Sequence, residues 1–424
     1  MRQRRNNVQW RRGRGRVLLA LLVSSFAIVT AACNSLLDVD IPGRVQADAL
    51  NDPSMAPILV SSALGQFECS YVAAVLTTGA MSEEYIISND FVNGNIWGWR
   101  GTEIKTADGN CTGSRTATNL GYYTPMQEAR YVAEDGMARI QTFPDSAVPD
   151  KAEDLAELAA YAAYSYVFLG ENFCEMALDA GAIMQPSDVL AIAEQKFTDA
   201  IDLAQTAGDD DLKNMSLVGR ARVRLDLGKL ADAAADAAQV PEGYVRNAEY
   251  SSARPSRENR IYNMTIRNDF LSVGPTYRDL TVGGVPDPRV PVLNTGEMGQ
   301  DNVTPQWTQQ KYMSSTSSIP IASWKEAQLI LAEAVGGQEA KDAINRVRAA
   351  DGIAPLDGSE GSDITAIVLE ERRRELFSQG ERLNDMLRHN LPFPTGVNHK
   401  GQSYGPTTCI PLPDAETLNN PNAH

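Results

Sequence analysis

Residues 367–390 read IVLEERRRELFSQGERLNDMLRHN, and the reading of this stretch decides the fold. It is helix-forming sequence dense in Glu and Arg, interrupted at Gly380. On a helix, Glu371 and Glu375 lie four apart, Arg374 lies three beyond Glu371, and Arg388 lies three beyond Asp385. At these spacings opposite charges meet along one face. Paired carboxylates have two uses. They lock helices together through ion pairs, or they act as acid and base across a cleft, with separations of ~5–5.5 or ~6.5–9.5 Å at a glycosidic bond. Ion pairing alone accounts for the charges here. Glu371, Arg372, Glu375, Arg382, Asp385 and Arg388 are therefore read as structural ion pairs, and no catalytic residue is assigned.

Outward from this stretch the pattern stays helical. SWKEAQLILAEA (323–334) is amphipathic, AINRVRAADG (343–352) follows it, and CIPLPDAETLNNPN (409–422) closes the chain. Upstream, residues 215–240 give a helix, a turn at Gly228 and a second helix stopped by Pro241. This hairpin resembles a tetratricopeptide unit, with Leu217, Ala221, Leu230, Ala233 and Ala237 at packing positions. A weaker copy runs from Trp324 to Ala349. Residues 155–169 (LAELAAYAAYSYVFL) lack a polar stripe, so they predict a helix buried on most sides. Ser187 and Asp188 are expected to cap the next helix, and Asp209, Asp210 and Asp211 to close it. Residues 241–320, punctuated by eight Pro, read as an irregular insertion of loops and short strands. Residues 83–124 form a second loop-rich region.

The N-terminus differs in kind. Residues 1–32 hold seven Arg and no acid, then an apolar run from Val17 to Val29, then Thr30-Ala31-Ala32-Cys33. Basic, apolar and small-residue segments in that order are the layout of a secretory signal. Its dozen apolar residues fall short of the ~20 that span a bilayer. The junction resembles a bacterial lipobox, which makes Cys33 the lipid-attachment residue. Thr30 stands where Leu is usual. Without residues 1–32, the 38 basic groups fall to 31 against 54 acids, a formal charge of -23. That balance opposes nucleic acid, whose phosphates need clustered Lys and Arg. Four cysteines remain, and export favours disulfides. Three pairings are possible; the preferred one joins Cys69 to Cys111 and Cys174 to Cys409. No Cys-x-x-Cys, phosphate loop, Gly-x-Ser-x-Gly or His-Glu-x-x-His occurs in the sequence, so neither metal nor cofactor is expected.

Taken together the C-terminal segments resemble the SusD/RagB family of outer-membrane nutrient-uptake lipoproteins. The resemblance rests on Ala332-Glu333-Ala334, Asn345, Val347-Arg348, Glu371-Arg372, Glu375-Leu376, Gly380, Arg382, Asp385, Arg388, Ile410-Pro411 and Asn420-Pro421, in the family's order and spacing. Leu36-Leu37-Asp38, Pro42 and Asp287-Pro288-Arg289 extend it towards the N-terminus. It implies a mostly α fold with tetratricopeptide-like helix hairpins and long irregular loop insertions. The expected organisation is a signal peptide (1–32), an N-terminal region with tether and binding loops (33–150), and a helical body with the C-terminal region (151–424) carrying the insertion 241–320. It also implies a lipid-anchored protein of the outer membrane, at the cell surface. Such a protein binds oligosaccharide or peptide and caps a SusC-like TonB-dependent transporter. Two rival functions are a helical-repeat scaffold for surface proteins and a surface glycan hydrolase.

Sugar rings stack on aromatic faces bordered by polar side chains, and the best local match is Asn89 to Arg100 (NDFVNGNIWGWR). If residues 96–100 are extended, Trp97 and Trp99 share one face, because side chains alternate along a strand. With Arg100, Asp90, Asn93 and Asn95 they would form a binding platform. Trp307, between Gln306 and Gln309, is a second candidate. The alternative for each Trp is packing against the helical body. Oxygen-bearing residues 88–95 lack the Asp-x-Asp-x-Asp-Gly spacing of a calcium loop.

Overall fold

The computed structural model describes residues 47–106, 108–109, 111 and 119–423; the signal segment 1–32 and Cys33 lie outside the described residues. The described residues from Asn51 onward form one compact unit. Helix α1 (Ala56–Met81) opens this unit. It is long and apolar enough to cross a membrane by length and composition, yet two thirds of its most apolar window is buried inside the fold. Being apolar all round, it belongs in a core and shows no helical period in sequence.

A short strand β1 (Tyr85–Ile87) and a two-turn helix α2 (Val92–Gly98) follow, then α3 (Tyr123–Thr142) and α4 (Lys151–Asn172). Helix α4 is the hub. From Leu155 to Asn172 every side chain except Glu157 is buried, and the helix packs against α1, α3, α5 (Pro186–Ala207) and α6 (Asp210–Asp226). Its aromatics interlock edge to face, Tyr161 with Phe67 at 5.1 Å and Tyr164 with Phe197 at 4.9 Å. Such pairs add about 0.5–1.5 kcal/mol each beyond area burial.

The two hairpins are present. Helix α6 turns at Gly228, whose φ of 71° suits a residue without a Cβ, into α7 (Leu230–Ala237). Helix α8 (Trp324–Val335) passes directly into α9 (Gly337–Ala350), and α8 packs on both α6 and α7. Two expected boundaries move. Helix α5 starts at a capping box between Gln185 and Asp188, with Pro186 in its first turn. Asp209 does not close it but caps α6, its carboxylate accepting from the Leu212 amide at 2.9 Å.

The insertion carries strands β2 (Val245–Ala248), β3 (Leu271–Val273), β4 (Thr281–Val282), β5 (Val285–Pro286), β6 (Val292–Met298), β7 (Pro305–Gln309) and β8 (Ile319–Ser323). They pair antiparallel as β1 with β3, β2 with β8, β4 with β5 and β6 with β7. Strand β8 leads into α8, where Ser323 Oγ caps the helix by accepting from the Glu326 amide. Disulfides join Cys69 to Cys111 and Cys174 to Cys409, with Cα atoms 5.9 and 5.1 Å apart.

Helices α10 (Ile364–Glu375) and α11 (Arg382–Arg388) contain the charged stretch. The pairs form between elements more than along one helix. Glu371 binds Arg348 of α9 and Arg289 of the insertion, both at 2.6 Å. Arg372, 1% exposed overall, reaches Asp385 at 2.9 Å. Arg388 pairs with Asp385, Asp226 and Glu333, and Glu375 with Lys325. Within α10 it is Glu370, not Glu371, that takes Arg373 and Arg374. Arg382 is a correction: half-buried at the start of α11, it makes no ion pair or hydrogen bond among the described residues.

Candidate functional site

The stretch from Asn89 to Arg100 does not form a strand. Residues 92–98 are helical, so Trp97 and Trp99 do not share a face and the expected platform is absent. Trp97 is 2% exposed and part of the core; Trp99 is half-buried against it. Gly98 explains the packing. A Cβ there would lie 2.6 Å from Ile87 Cγ1, so α2 rests directly on β1.

The polar members of the stretch are used within the fold. Asn95 Nδ2 donates to the carbonyls of Asn89 and Phe91 at 2.8 Å, and its Oδ1 accepts from Lys400. Arg100 is buried at a φ of 54°, its guanidinium 4.7 Å from the Tyr404 ring and 5.3 Å from the Phe393 ring. It fastens the segment after α11 rather than bordering a ligand. Asn95, Trp97, Trp99 and Arg100 therefore leave the exposed surface for a structural reason: each is needed to hold α2 against its neighbours.

Two candidates do stay at the surface, and the structure connects them to a third. Asp90 and Asn93 are exposed, as is Phe91, which meets Phe270 edge to face at 5.4 Å. The Asp90 amide donates to Gln300 Oε1 at 3.1 Å, placing residues 90–93 against the turn of the β6–β7 hairpin. Along the same hairpin Trp307 pairs with Asn294, and the Arg278 guanidinium lies 5.2 Å from the Trp307 ring. Trp307 is half-buried, while Leu293 and Met298 on the facing strand are exposed. The resulting ledge, residues 90–93 together with the β6–β7 hairpin, has polar groups at the turn and the Trp307 ring, partnered by Arg278, further along the strand. Asp301 anchors it through Lys400 at 2.8 Å. Burial alone would raise the Asp301 carboxyl, but Lys400 and the Thr304 amide outweigh it and hold it at about 2.

Two open grooves lie elsewhere. One, of about 510 Å³, runs between α1, α4 and β2, but its cations are already engaged: Arg246 with Glu157 and Asp211, Arg257 with Glu68. The other, of about 330 Å³, follows α3 and is lined by Tyr123, Gln127, Glu128, Tyr131, Asp179 and Glu416 among others. The sequence reading missed it. Its signal is the i, i+4, i+8 spacing of Tyr123, Gln127 and Tyr131, which places all three on one helix face. No group of three or more His, Cys, Asp or Glu among the described residues is arranged to hold a metal ion.

Comparison with known proteins follows the architecture. Residues 209–409 match the model of the SusD family. Among solved structures, a SusD-like carbohydrate binding protein from Bacteroides vulgatus ATCC 8482 superposes with a TM-score of 0.64 at 14% identity, covering 88% of this chain and 97% of its own. A SusD-like protein from Bacteroides fragilis NCTC 9343 gives 0.65 at 13%, covering 90% and 98%. A SusD/RagB family protein from Bacteroides thetaiotaomicron gives 0.62 at 11%, covering 87% and 94%. No curated protein matches. At these identities the structural likeness is one of fold.

Proposed function

The chain belongs to the SusD family, and on that premise we propose that it is a carbohydrate-binding lipoprotein of the cell surface. Cys33 anchors it to the outer membrane, oligosaccharide is captured on the ledge of Asp90, Asn93 and Trp307, and a SusC-like TonB-dependent transporter receives the cargo. The observation that carries this reading is the family match over 209–409, joined to a fold shared across 88% of the chain with a protein described as carbohydrate binding.

The role needs no bond-breaking group. The carboxylates Glu371, Glu375 and Asp385 are each held by Arg or Lys, which supports a structural use over acid and base chemistry. On a ledge of this kind one sugar ring stacks on Trp307, and Asp90 and Asn93 bond hydroxyls of another ring of the same oligosaccharide. Ligand held between this ledge and a transporter adds contacts in the closed complex and shifts the equilibrium towards closure.

Two measurements test the reading. A panel of neutral oligosaccharides and short peptides, titrated calorimetrically against the domain from residue 47 onward, is expected to give saccharide binding that Trp307→Ala weakens. Binding of peptides alone assigns a different cargo. Native purification of the full lipoprotein, in a strain that also expresses a SusC-like transporter, is expected to recover the barrel. Its repeated absence overturns the transport role.

A further inference from the structure

We infer that the groove along α3 is a second saccharide subsite, for a neutral pyranose stacked on Tyr131. The inference rests on the carbohydrate reading above but on different residues. Tyr131 is 58% exposed, and its ring and hydroxyl make no stacking contact or hydrogen bond among the described residues. An exposed tyrosine ring with no partner offers an apolar face to a sugar and a hydroxyl to its rim. One turn back on the same face, Gln127 is already positioned, its amide donating to Ala177 O at 2.8 Å and its Oε1 accepting from Arg130 Nε. A further turn back, Tyr123 OH donates to the same carbonyl at 3.2 Å.

The opposite wall is a strained loop. Asp179 and Ala180 are consecutive non-glycine residues at φ of 52° and 57°. Such residues in the left-handed region cost energy and persist where surrounding contacts fix them. Here the contacts are identifiable. Arg130 Nη2 binds Asp179 at 2.6 Å, Asn422 Nδ2 donates to Ala180 O at 2.9 Å, and Asn420 Nδ2 donates to Gly181 O at 2.8 Å. The end of the chain thus sets the width of the groove. Asn420, part of the sequence signature, acquires a role as a positioning residue for this lip.

Size and charge specify the ligand. About 330 Å³ lies at the small end of the ~300–1,000 Å³ typical of ligand sites, room for one or two sugar rings. Glu128, Asp179 and Glu416 are acceptors suited to paired hydroxyls. They outnumber Arg130, whose guanidinium is already paired with Glu134 and Asp179. Uronic and sulfated sugars are disfavoured by that balance.

Hydrogen–deuterium exchange of the full lipoprotein tests the subsite, with maltohexaose, cellohexaose, xylohexaose and mannohexaose as neutral probes and hexagalacturonate as the anionic one. At least one neutral probe is expected to protect segments 120–131 and 176–181. Tyr131→Ala should abolish that protection and weaken binding at least ~10-fold, while Tyr131→Phe, which keeps the ring, retains most of it. The position is exposed, and an unchanged unfolding midpoint checks that the variant folds. Wild-type binding by Tyr131→Ala, with protection confined to 88–100 and 293–309, overturns the subsite and leaves the proposed function standing. Equal protection by hexagalacturonate overturns the neutral-sugar assignment. Failure of the wild type to bind any of the saccharides overturns the subsite and the carbohydrate reading together.

Discussion

Adjacent residues of α10, Glu371 and Arg372, lead into two clusters of buried charge that differ in balance. Around Glu371 the acids Asp287, Glu360, Glu370 and Glu371 meet an equal number of arginines, Arg289, Arg348, Arg373 and Arg374. Around Arg372 the carboxylates of Asp226, Glu326, Glu333, Glu381 and Asp385 share only Arg222, Arg372, Arg388 and His389. Glu171 adjoins Asp226 and adds to the excess.

The difference appears in the acids. Burial alone would raise Asp287, but Arg289 and Arg374 outweigh it and hold the carboxyl at about 2. In the other cluster burial pushes Glu381 up to about 8, outweighing the attraction of Arg222 and Arg372, while Glu326 and Asp385 add repulsion. Burial raises Glu171 as well, with Asp226 and Glu381 adding to it. The acid-rich cluster is mixed: against burial its arginines hold Asp385 and Glu333 down, while burial raises Glu381 and Glu171.

Breaking the acid-rich cluster at its least exposed cation gives the largest effect. Arg372→Met leaves Asp385, Glu333 and Glu381 without that counter-charge and should cost about 3–5 kcal/mol in urea unfolding. The comparison sharpens with one chemical change made twice. Asp287→Asn removes a charge between two arginines and should cost about 3 kcal/mol. Glu381→Gln replaces a carboxyl already protonated at neutral pH and should stay within about 1 kcal/mol of wild type. Equal losses for the two would erase the distinction.

The pH dependence follows in sign. Glu381 binds its proton more tightly folded than unfolded, so its contribution is full below pH 4.5 and is lost as pH rises through about 8. Asp287 behaves oppositely: its contribution is present above pH 3.8 and is lost as pH falls through about 2. Unfolding free energy measured from pH 4.5 to 8 should decline, and Glu381→Gln should flatten the decline. The smallest effect is at the rim. Glu370 has a side chain 40% exposed, and Arg373→Ala should cost no more than about 1 kcal/mol, further reduced by salt.

These clusters also show what the sequence makes legible. The charges of α10 and α11 could be read as structural because their density exceeds what a surface or a catalytic pair requires. Their partners could not, since Arg289, Arg348 and Arg222 arrive from distant segments. Segment 89–100 failed for a related reason. Its Asn and Gly residues look like loop punctuation, yet Asn95 bonds the backbone around α2 and Gly98 allows contact with β1. Helix α1 left no period to find because it is apolar all round, and the Tyr123, Gln127, Tyr131 face is not legible as a groove because its other wall, at 177–180 and Glu416, is brought there only by the fold. Among the ledge residues, Asp90 and Trp307 were identifiable as types, but their association depends on a hairpin register that composition does not encode.

The bond between Cys174 and Cys409 joins residues 235 apart in sequence. The β6–β7 hairpin and the exposed turn at 358–361 both fall between them. A protease that cuts either site therefore leaves two pieces still covalently joined through sulfur. Such nicking would be invisible on a non-reducing gel and revealed only by a thiol.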